Sequence, residues 1–237
     1  MGNPYFQFKQ FTVYHDQCAM KVGVDGTLLG AWADVSGVTS VLDVGTGSGL
    51  VALMVAQRTE APVTGIDIDE DAVKQATENV KASKWNDRIK VMHISLADFT
   101  ASCPKHFDLI VSNPPYFNNA LKAPDEKRKL ARHTDSLSHR SLLTDCKNLL
   151  SGHGRICLVL PFQEEENIMN IASQLELNCT ALTRVLPKPD LPPKRILIEF
   201  SKQHRPLITN RLTIETENRH CYTPAYTELM KNYYLKM

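Results

Sequence analysis

The sequence lacks the patterns that mark membrane proteins, secreted proteins and metal sites. Its apolar runs all fall short of the roughly 20 residues that a membrane-spanning helix needs, and its first eight residues have no signal-peptide core. Six cysteines are scattered without a Cys-x-x-Cys pair, which argues against both a disulfide framework and a zinc site. We therefore expect a cytoplasmic protein with reduced thiols, no membrane association and no metal.

Internal repeats, low-complexity segments and an excess of one charge are also missing. The formal net charge is +1 over 237 residues, which argues against a protein that coats nucleic acid with its whole surface, although a local basic face is compatible with it. A hydrophobic content of 43% and a charged content of 22% indicate a folded core. We expect one α/β domain over residues 1–237, with a cap and pocket wall in residues 1–36 and the catalytic α/β core in residues 37–237.

The stretch Asn113-Pro114-Pro115-Tyr116 ends an apolar run that predicts a buried strand over residues 107–112. Two prolines cannot continue a ladder, because each lacks a donor and has a fixed φ. Ligands of open α/β sheets bind at the carboxyl ends of strands, so these residues are candidates for a site. The alternative is a plain turn, because Asn-Pro marks turns in any context.

A glycine-rich turn joins a predicted strand over residues 39–44 to helical spacing over residues 50–58. Its glycines are Gly45, Gly47 and Gly49. Their spacing differs from the Gly-x-Gly-x-x-Gly of dinucleotide binders, but it allows close ligand approach at a helix N-terminus. Asp43 precedes the turn and would repel a pyrophosphate, whereas it can accept from an ammonium group. This pattern points to a ligand with an amino acid moiety.

Acidic residues follow the next two predicted strands. The predicted strand over residues 62–69 ends in acids, and its Asp67 lies about 20 residues after the glycines, where an acid can bind both ribose hydroxyls. Ile68 lies beside it. Asp69 is typical of a helix cap, with acids in the first turn behind it. After a strand over residues 88–94, Asp98 could accept from an adenine amine with Phe99 against the ring. The alternative there is an exposed loop acid over a core phenylalanine.

The N-terminal stretch predicts a hairpin and a pocket wall. Alternating aromatic residues over residues 5–13 favour a strand or hairpin. Thr27 is a candidate cap for a helix over residues 28–33. Polar Lys21, Asp25 and Thr27 would then line a ligand pocket, or the segment is simply a lid over the core.

Two basic segments follow the proposed site in the sequence. Residues 117–140 form a long polar loop, which is either a substrate-binding flap or a solvated excursion. Residues 184–211 carry seven basic residues against Asp190 and Glu199, which suits phosphate contacts or only solubility. The remaining periodicity predicts helices over 142–150, 164–175 and 224–233, and strands over 154–160, 179–186, 195–200 and 211–215.

Residues 41–49 resemble the first cofactor motif of class I methyltransferases that use S-adenosylmethionine. Asn113 to Tyr116 resemble the motif of enzymes that methylate adenine or a release-factor glutamine. The resemblance narrows to the bacterial tRNA1(Val) adenine methyltransferase family, through matches spread over nearly the whole chain. These matches are residues 8–11, 15–23, 25–32, 131–133 and 222–235.

This resemblance implies methylation of the exocyclic amino group of adenine 37, next to the anticodon, with S-adenosylmethionine as cofactor and the tRNA anticodon loop as partner. It implies an α/β fold with a mostly parallel seven-stranded sheet, helices on both faces and an antiparallel last strand. Asn113, Pro114 and Tyr116 become the catalytic residues. The implied cofactor residues are Lys21, Asp25, Thr27, Asp43, Gly45, Gly47, Gly49, Asp67, Ile68, Asp98, Phe99 and Asn113.

Other functions remain open at this point. Glutamine methylation of a release factor could use the same acceptor pair, although the N-terminal match and the basic loops argue against it. A nicotinamide-dependent oxidoreductase is disfavoured by the glycine spacing. A non-enzymatic RNA-binding module would leave Asp43 and Asp67 unexplained. We expect a monomer.

Overall fold

The computed structural model describes residues 3–18, 20–103, 106–115, 138–218 and 220–237. A hairpin of β1 (Tyr5–Gln7) and β2 (Thr12–Tyr14) precedes the main sheet. The strands of that sheet are β3 (Val41–Val44), β4 (Val63–Asp67), β5 (Ile89–His93), β6 (Phe107–Ser112), β7 (Leu150–Pro161), β8 (Asn178–Leu186), β9 (Arg195–Ser201) and β10 (Ile208–Thr213). The helices are α1 (Val24–Trp32), α2 (Leu50–Ala56), α3 (Glu70–Lys81), α4 (Leu96–Ser102), α5 (His139–Leu149), α6 (Glu165–Gln174) and α7 (Pro224–Met230). None of the helices in these ranges is long and apolar enough to cross a bilayer.

The main sheet is mostly parallel, in the order β10-β8-β9-β7-β6-β3-β4-β5. Strand β9, the seventh in chain order, runs antiparallel to both β7 and β8. The expected α/β fold is thereby confirmed. The sheet has one strand more than the expected seven within the described ranges, because β10 adds to β8 as a parallel edge strand. The chain order reverses between β3 and β6, so the carboxyl ends of these two strands form the switch point where ligands bind.

Helices cover both faces of the sheet, and the strand residues alternate between two cores. On β3, Val41 packs into one core and Leu42 into the other. The first core also holds α1 and α2, and the second holds α5 and α6. This period of two is what a strand buried on both faces requires, and it explains the continuous apolar runs in the sequence.

The two ends of the chain pack on each other and on this first core. Phe8 bridges to Tyr234, and the backbone N–H of Lys9 donates to the carbonyl of Tyr233 at 2.8 Å. The Tyr233 hydroxyl donates to the carbonyl of Met54 on α2 at 3.0 Å. The N-terminal cap is therefore anchored by the last residues of the chain. The proposed division at residue 36 stays a prediction.

Several element boundaries differ from those that periodicity predicts. Helix α1 begins at Val24 rather than at residue 28, because Gly23 occupies the cap position and Thr27 falls inside the first turn. A helix, α4, replaces the loop expected around Asp98, because Ser95 caps it. Helix α5 starts at His139, behind the cap Ser138.

The last elements also shift. Strand β10 covers Ile208–Thr213, whereas the apolar pattern predicted residues 211–215. Its residues follow β8 in register from Ile208, opposite Ala181, to Thr213, opposite Leu186. The final helix begins at the predicted Pro224, behind the cap Thr223, whose side chain accepts from the Tyr226 N–H, but it ends at Met230 rather than at residue 233.

Candidate active site

Four neighbouring strand ends place the predicted site residues along one edge of the sheet. In spatial order they are Asp98 behind β5, Asp67 on β4, the glycine loop behind β3, and Asn113 behind β6. Strands lie about 4.8 Å apart, so this row spans about 14 Å. The structure therefore brings together four groups that lie far apart in the sequence.

The glycine loop adopts a backbone that only glycine accommodates easily. Gly45, Gly47 and Gly49 have φ values of 68°, 54° and 79°, all in the left-handed region. No described atom lies within 4 Å of a Cβ built on Gly45 or Gly47, so the space beside the loop is open. The N–H groups of Gly45 and Thr46 both donate to the carbonyl of Ile66, which holds the loop on β4. This geometry matches the close ligand approach expected from the sequence.

Asp43 lies under the loop and organises it. Its side chain is 1% exposed, and its Oδ2 accepts from the Thr46 hydroxyl at 2.7 Å and from the Ala52 N–H at 3.1 Å. Burial raises the pKa of Asp43 to about 7, against the lowering effect of these two hydrogen bonds. The predicted ammonium contact would therefore have to use the other carboxylate oxygen.

Asp67 links the end of β4 to the loop. Its Oδ2 accepts from the Gly47 N–H at 2.8 Å, and its Oδ1 accepts from the Asp69 N–H at 3.0 Å. Asp69 is the cap of α3, as the sequence predicts. Ile68 is 57% exposed, which leaves an apolar surface beside the proposed ribose acid.

Asp98 is exposed in the first turn of α4, where it accepts from the Ser95 hydroxyl at 2.7 Å. The Phe99 side chain is 6% exposed and its ring centroid lies 6.1 Å from that of Phe107. Phe99 therefore packs in the core, which is where the alternative interpretation placed it. Its backbone N–H donates to the carbonyl of Ser95, so the helix uses that group as well.

Asn113 directly follows β6 and has an unsatisfied acceptor. Its Oδ1 is buried and has no hydrogen-bond partner among the atoms of the structure as described. Pro114 is buried behind it, and Pro115 is exposed. A buried polar atom without a partner is destabilising, so its presence at a strand end favours a ligand contact over a plain turn. Tyr116 and nearly all of the predicted flap over residues 117–140 lie outside the described residues.

Helix α1 forms a wall against Asn113. A Cβ built on Gly26 would lie 2.9 Å from the Leu50 Cδ2 and 3.8 Å from the Asn113 Nδ2. A Cβ on Gly30, one turn later, would lie 2.7 Å from the Cβ of Met54. The two glycines therefore let α1 approach α2 and the end of β6 closely.

The polar residues of this wall have partners of their own. Asp25 forms an ion pair with Arg195 at the start of β9. The Thr27 hydroxyl lies 3.0 Å from the Tyr234 hydroxyl and 2.9 Å from the Val24 carbonyl. Lys21 is exposed. These contacts fix the wall, and direct cofactor contacts by the three predicted residues stay a prediction.

Sequence reasoning missed Thr46, Arg195 and Tyr234 as residues that shape the site. Thr46 fits because Gly65 has no side chain; a Cβ there would lie 2.9 Å from the Thr46 Oγ1. Arg195 pairs with Asp25, 170 positions away in the sequence, and Tyr234 contacts Thr27, 207 positions away. A single sequence contains no signal for such distant pairs. In the described part of the chain, no group of three His, Cys, Asp or Glu residues could hold a metal.

Comparison with known proteins identifies the family. Residues 27–175 match the model of the methyltransferase small domain. A crystal structure of a predicted O-methyltransferase from Agrobacterium tumefaciens superposes with a TM-score of 0.70 at 22% identity, over 88% of this chain and 96% of that one. A ribosomal protein L11 methylase from Lactobacillus delbrueckii subsp. bulgaricus gives a TM-score of 0.54 at 21% identity, over 76% and 77%. These two structures show the fold.

Two relatives are similar over their full length, and both are named tRNA1(Val) (adenine(37)-N6)-methyltransferase. The one from Parabacteroides distasonis is 52% identical over 239 residues and covers 100% of each chain. The one from Trichodesmium erythraeum is 48% identical over 239 residues, again with 100% coverage of both chains. The chain therefore belongs to the methyltransferase small domain family and, within it, to the tRNA1(Val) (adenine(37)-N6)-methyltransferases.

Proposed function

We propose that this enzyme transfers a methyl group from S-adenosylmethionine to the exocyclic amino group of adenine 37 in tRNA1(Val). Family membership supports the reaction and the substrate. The observation that ties the reaction to this chain is the buried Oδ1 of Asn113, which has no partner within the described residues. An amine is the kind of group that such an acceptor would bind.

The strand-end row fits S-adenosylmethionine in the order of its chemical groups. In this proposal Asp98 binds the adenine amine, Asp67 binds the ribose, and the glycine loop with Asp43 binds the amino acid moiety. The strand order puts these residues in the same succession along the edge, which supports the proposal. The open space next to Gly45 and Gly47 leaves room for a ligand against the backbone. When bound, the cofactor supplies an electrophilic methyl group on a sulfonium.

The chain's own contribution is to orient and activate the target amine. The lone pair of an adenine amine is delocalised into the ring, which makes the nitrogen a poor nucleophile. Asn113 Oδ1 and the Pro114 carbonyl would each accept one N–H bond from it. These bonds favour a more tetrahedral nitrogen and stabilise the charge that develops on it. Correct positioning of the two reactants supplies most of the remaining rate enhancement.

The base must leave its stack to reach this acceptor pair, which is easiest in a loop. Tyr116 is proposed to stack on the extruded base and to face the cationic cofactor, by cation–π attraction. Helix α1 lies beside Asn113, since a Cβ built on Gly26 would lie 3.8 Å from its amide nitrogen.

The test is Asn113→Ala with tRNA1(Val) transcripts. We expect the methylation rate in a single turnover to fall by a factor of about 100 or more, as when one preorganised polar group is lost from an active site. S-adenosylmethionine affinity measured by calorimetry should change by less than about twofold, because the side chain acts on the acceptor. Full single-turnover activity in the variant would exclude this role.

Matched controls separate the site from general effects. Asn86→Ala makes the same chemical change at an exposed asparagine between α3 and β5 and should leave the rate unchanged. A transcript with guanine at position 37 lacks the 6-amino group and should not be methylated. Methylation of a release-factor glutamine, with none on tRNA, would support the rival substrate instead.

A further inference from the structure

The basic residues between positions 184 and 211 do not lie on one surface of the protein. They are Arg184, Lys188, Lys194, Arg195, Lys202, Arg205 and Arg211. The strand directions distribute them over both edges of the sheet, and only one edge holds Asn113. Their individual contacts therefore decide which of them can meet an RNA bound at the site.

Two of these charges are already paired inside the protein. Arg184 Nε donates to Glu165 on α6 at 2.8 Å, and Arg195 pairs with Asp25 on α1. The side chains of both acids are less than one fifth exposed, at 19% for Glu165 and 14% for Asp25. Breaking either pair to contact a phosphate would leave a largely buried carboxylate without its partner, which is unfavourable.

Other members lie away from the site edge. Strand β9 is antiparallel, so the residues after its carboxyl end lie at the edge opposite Asn113. Lys202 confirms this placement, because its Nζ donates at 2.7 Å to the carbonyl of Leu150, the first residue of β7. Arg205 follows in the same connection, and Arg211 lies within the outer strand β10.

Lys188 and Lys194 lie at the site edge, in the turn that joins β8 to β9. Phe162, which follows β7, donates its N–H to the Lys194 carbonyl at 3.1 Å, and β7 pairs directly with β6. Strand β9, which begins after Lys194, lies two strand spacings, or about 10 Å, from β6, and β8, which ends before Lys188, lies three spacings, or about 14 Å, from it. Both lysines therefore lie at the same edge of the sheet as Asn113, and, from the order of the strands, Lys194 is the nearer of the two.

The turn is built to hold its shape. It contains Pro187, Pro189, Pro192 and Pro193. The N–H of Lys194 donates to the Val185 carbonyl at 2.9 Å, and that of Leu191 donates to the Lys188 carbonyl at 3.3 Å. Proline lowers the conformational freedom of the segment, so little entropy is lost when a partner binds to it.

We infer that this turn, residues 187–194, binds the phosphate backbone of the tRNA beside the target nucleotide, through Lys188 and Lys194. Lys194 is exposed, and Lys188 uses one ammonium N–H for the Glu217 carbonyl at 3.1 Å, which leaves two for phosphate. The flanking phosphates remain outside the pocket when the base enters it, so a basic rim near the pocket is where they are met. This inference rests on the proposed function, since it concerns the RNA substrate.

The experiment compares two double variants that each remove two positive charges from the same basic segment. Lys188→Ala/Lys194→Ala changes the site edge, and Lys202→Ala/Arg205→Ala changes the opposite edge. The pairs are matched, because each contains one lysine with a single backbone carbonyl partner and one exposed basic residue. KM for tRNA and kcat are measured across a salt series, and thermal unfolding verifies that each variant is folded.

For the site-edge variant we expect a higher KM, an unchanged kcat, and a salt slope of log KM that is smaller by about 2, one for each lost phosphate contact. Between about 50 and about 200 mM salt, its KM ratio to wild type should shrink by about tenfold. The opposite-edge variant should follow wild type. Equal effects of the two variants, or none, would overturn the inference.

Two further measurements keep the test decisive. Lys194→Glu alters a single exposed side chain and should raise KM even if the double variant folds poorly. If the wild-type enzyme methylates tRNA and KM for tRNA is unchanged in these variants, the role of the turn is refuted, but the proposed function is not. Wild-type enzyme that binds S-adenosylmethionine but does not methylate any tRNA refutes the proposed function itself.

Discussion

Asp43 provides a sensitive test of how the glycine loop is held, through the substitution Asp43→Asn. The wild-type carboxyl is 1% exposed, and burial raises its pKa from 3.8 to about 7. Asparagine keeps an oxygen that can accept from Thr46 and Ala52, but it cannot ionise. The variant therefore removes one buried charge and keeps the shape of the loop.

The sign of the pH effect follows from proton linkage. A carboxyl whose pKa is higher in the folded state stabilises the fold fully below pH 3.8, and this contribution is lost as the pH rises through about 7. The difference in pKa corresponds to about 4 kcal/mol at its limit. We expect wild type to lose stability relative to Asp43→Asn by about 1.4 kcal/mol per pH unit between about pH 4 and about pH 7.

Urea unfolding of both proteins from about pH 4.5 to about pH 7.5 measures this difference, because all other titrating groups cancel between them. Thr46→Val removes the hydroxyl that lowers the pKa of Asp43, so its profile should keep falling to higher pH than that of wild type. Parallel curves for wild type and Asp43→Asn, within about 0.5 kcal/mol, would refute the reasoning. If Asp43 also accepts from the cofactor ammonium, S-adenosylmethionine affinity should rise with pH up to about 7 in wild type and stay flat in the variant.

Two more predictions concern the α1 wall. Gly26→Ala places a Cβ 2.9 Å from Leu50, so it should destabilise the protein by about 1–3 kcal/mol and slow methyl transfer. The control is Gly152→Ala at the exposed start of β7, where a Cβ meets nothing within 4 Å, and it should change neither thermal unfolding nor rate. Tyr234→Phe removes the 3.0 Å contact with the Thr27 hydroxyl, so it should lower the free energy of unfolding by about 1 kcal/mol and should also lower kcat/KM. The control is Tyr5→Phe, at a residue that is 39% exposed. Identical kinetics for the two variants would contradict a role of Tyr234 in the wall.

The sequence predicts the parts of the site that depend on local chemistry. Strand β6 has the predicted bounds, Phe107–Ser112, because two prolines end it without help from the rest of the fold. The loop glycines take the positive φ values that their spacing requires. Asp69 caps α3 as predicted, since a cap is satisfied by N–H groups two and three residues away.

The parts that depend on distant partners could not be predicted in this way. Thr27 has the residue type of a cap, but α1 begins three residues earlier, and the Thr27 hydroxyl faces Tyr234 at the other end of the chain. Asp25 has the chemistry of a ligand contact, yet Arg195 pairs with it. Likewise, the assignment of the basic residues to two edges of the sheet depends on the antiparallel direction of β9. Composition alone does not contain strand direction.

The range that the family model matches does not contain every residue that shapes the site, and this difference suggests which segments select the substrate. Residues 27–175 contain the glycine loop, Asp67, Asp98 and Asn113, which we propose bind the cofactor and the target amine. The partners that fix the wall beside Asn113, Arg195 and Tyr234, lie outside that range. So does the turn at residues 187–194, which we infer to hold the RNA. On this proposal the methyl-transfer chemistry belongs to the range that the family model matches, and the groups that would select a tRNA come from the segments that follow it.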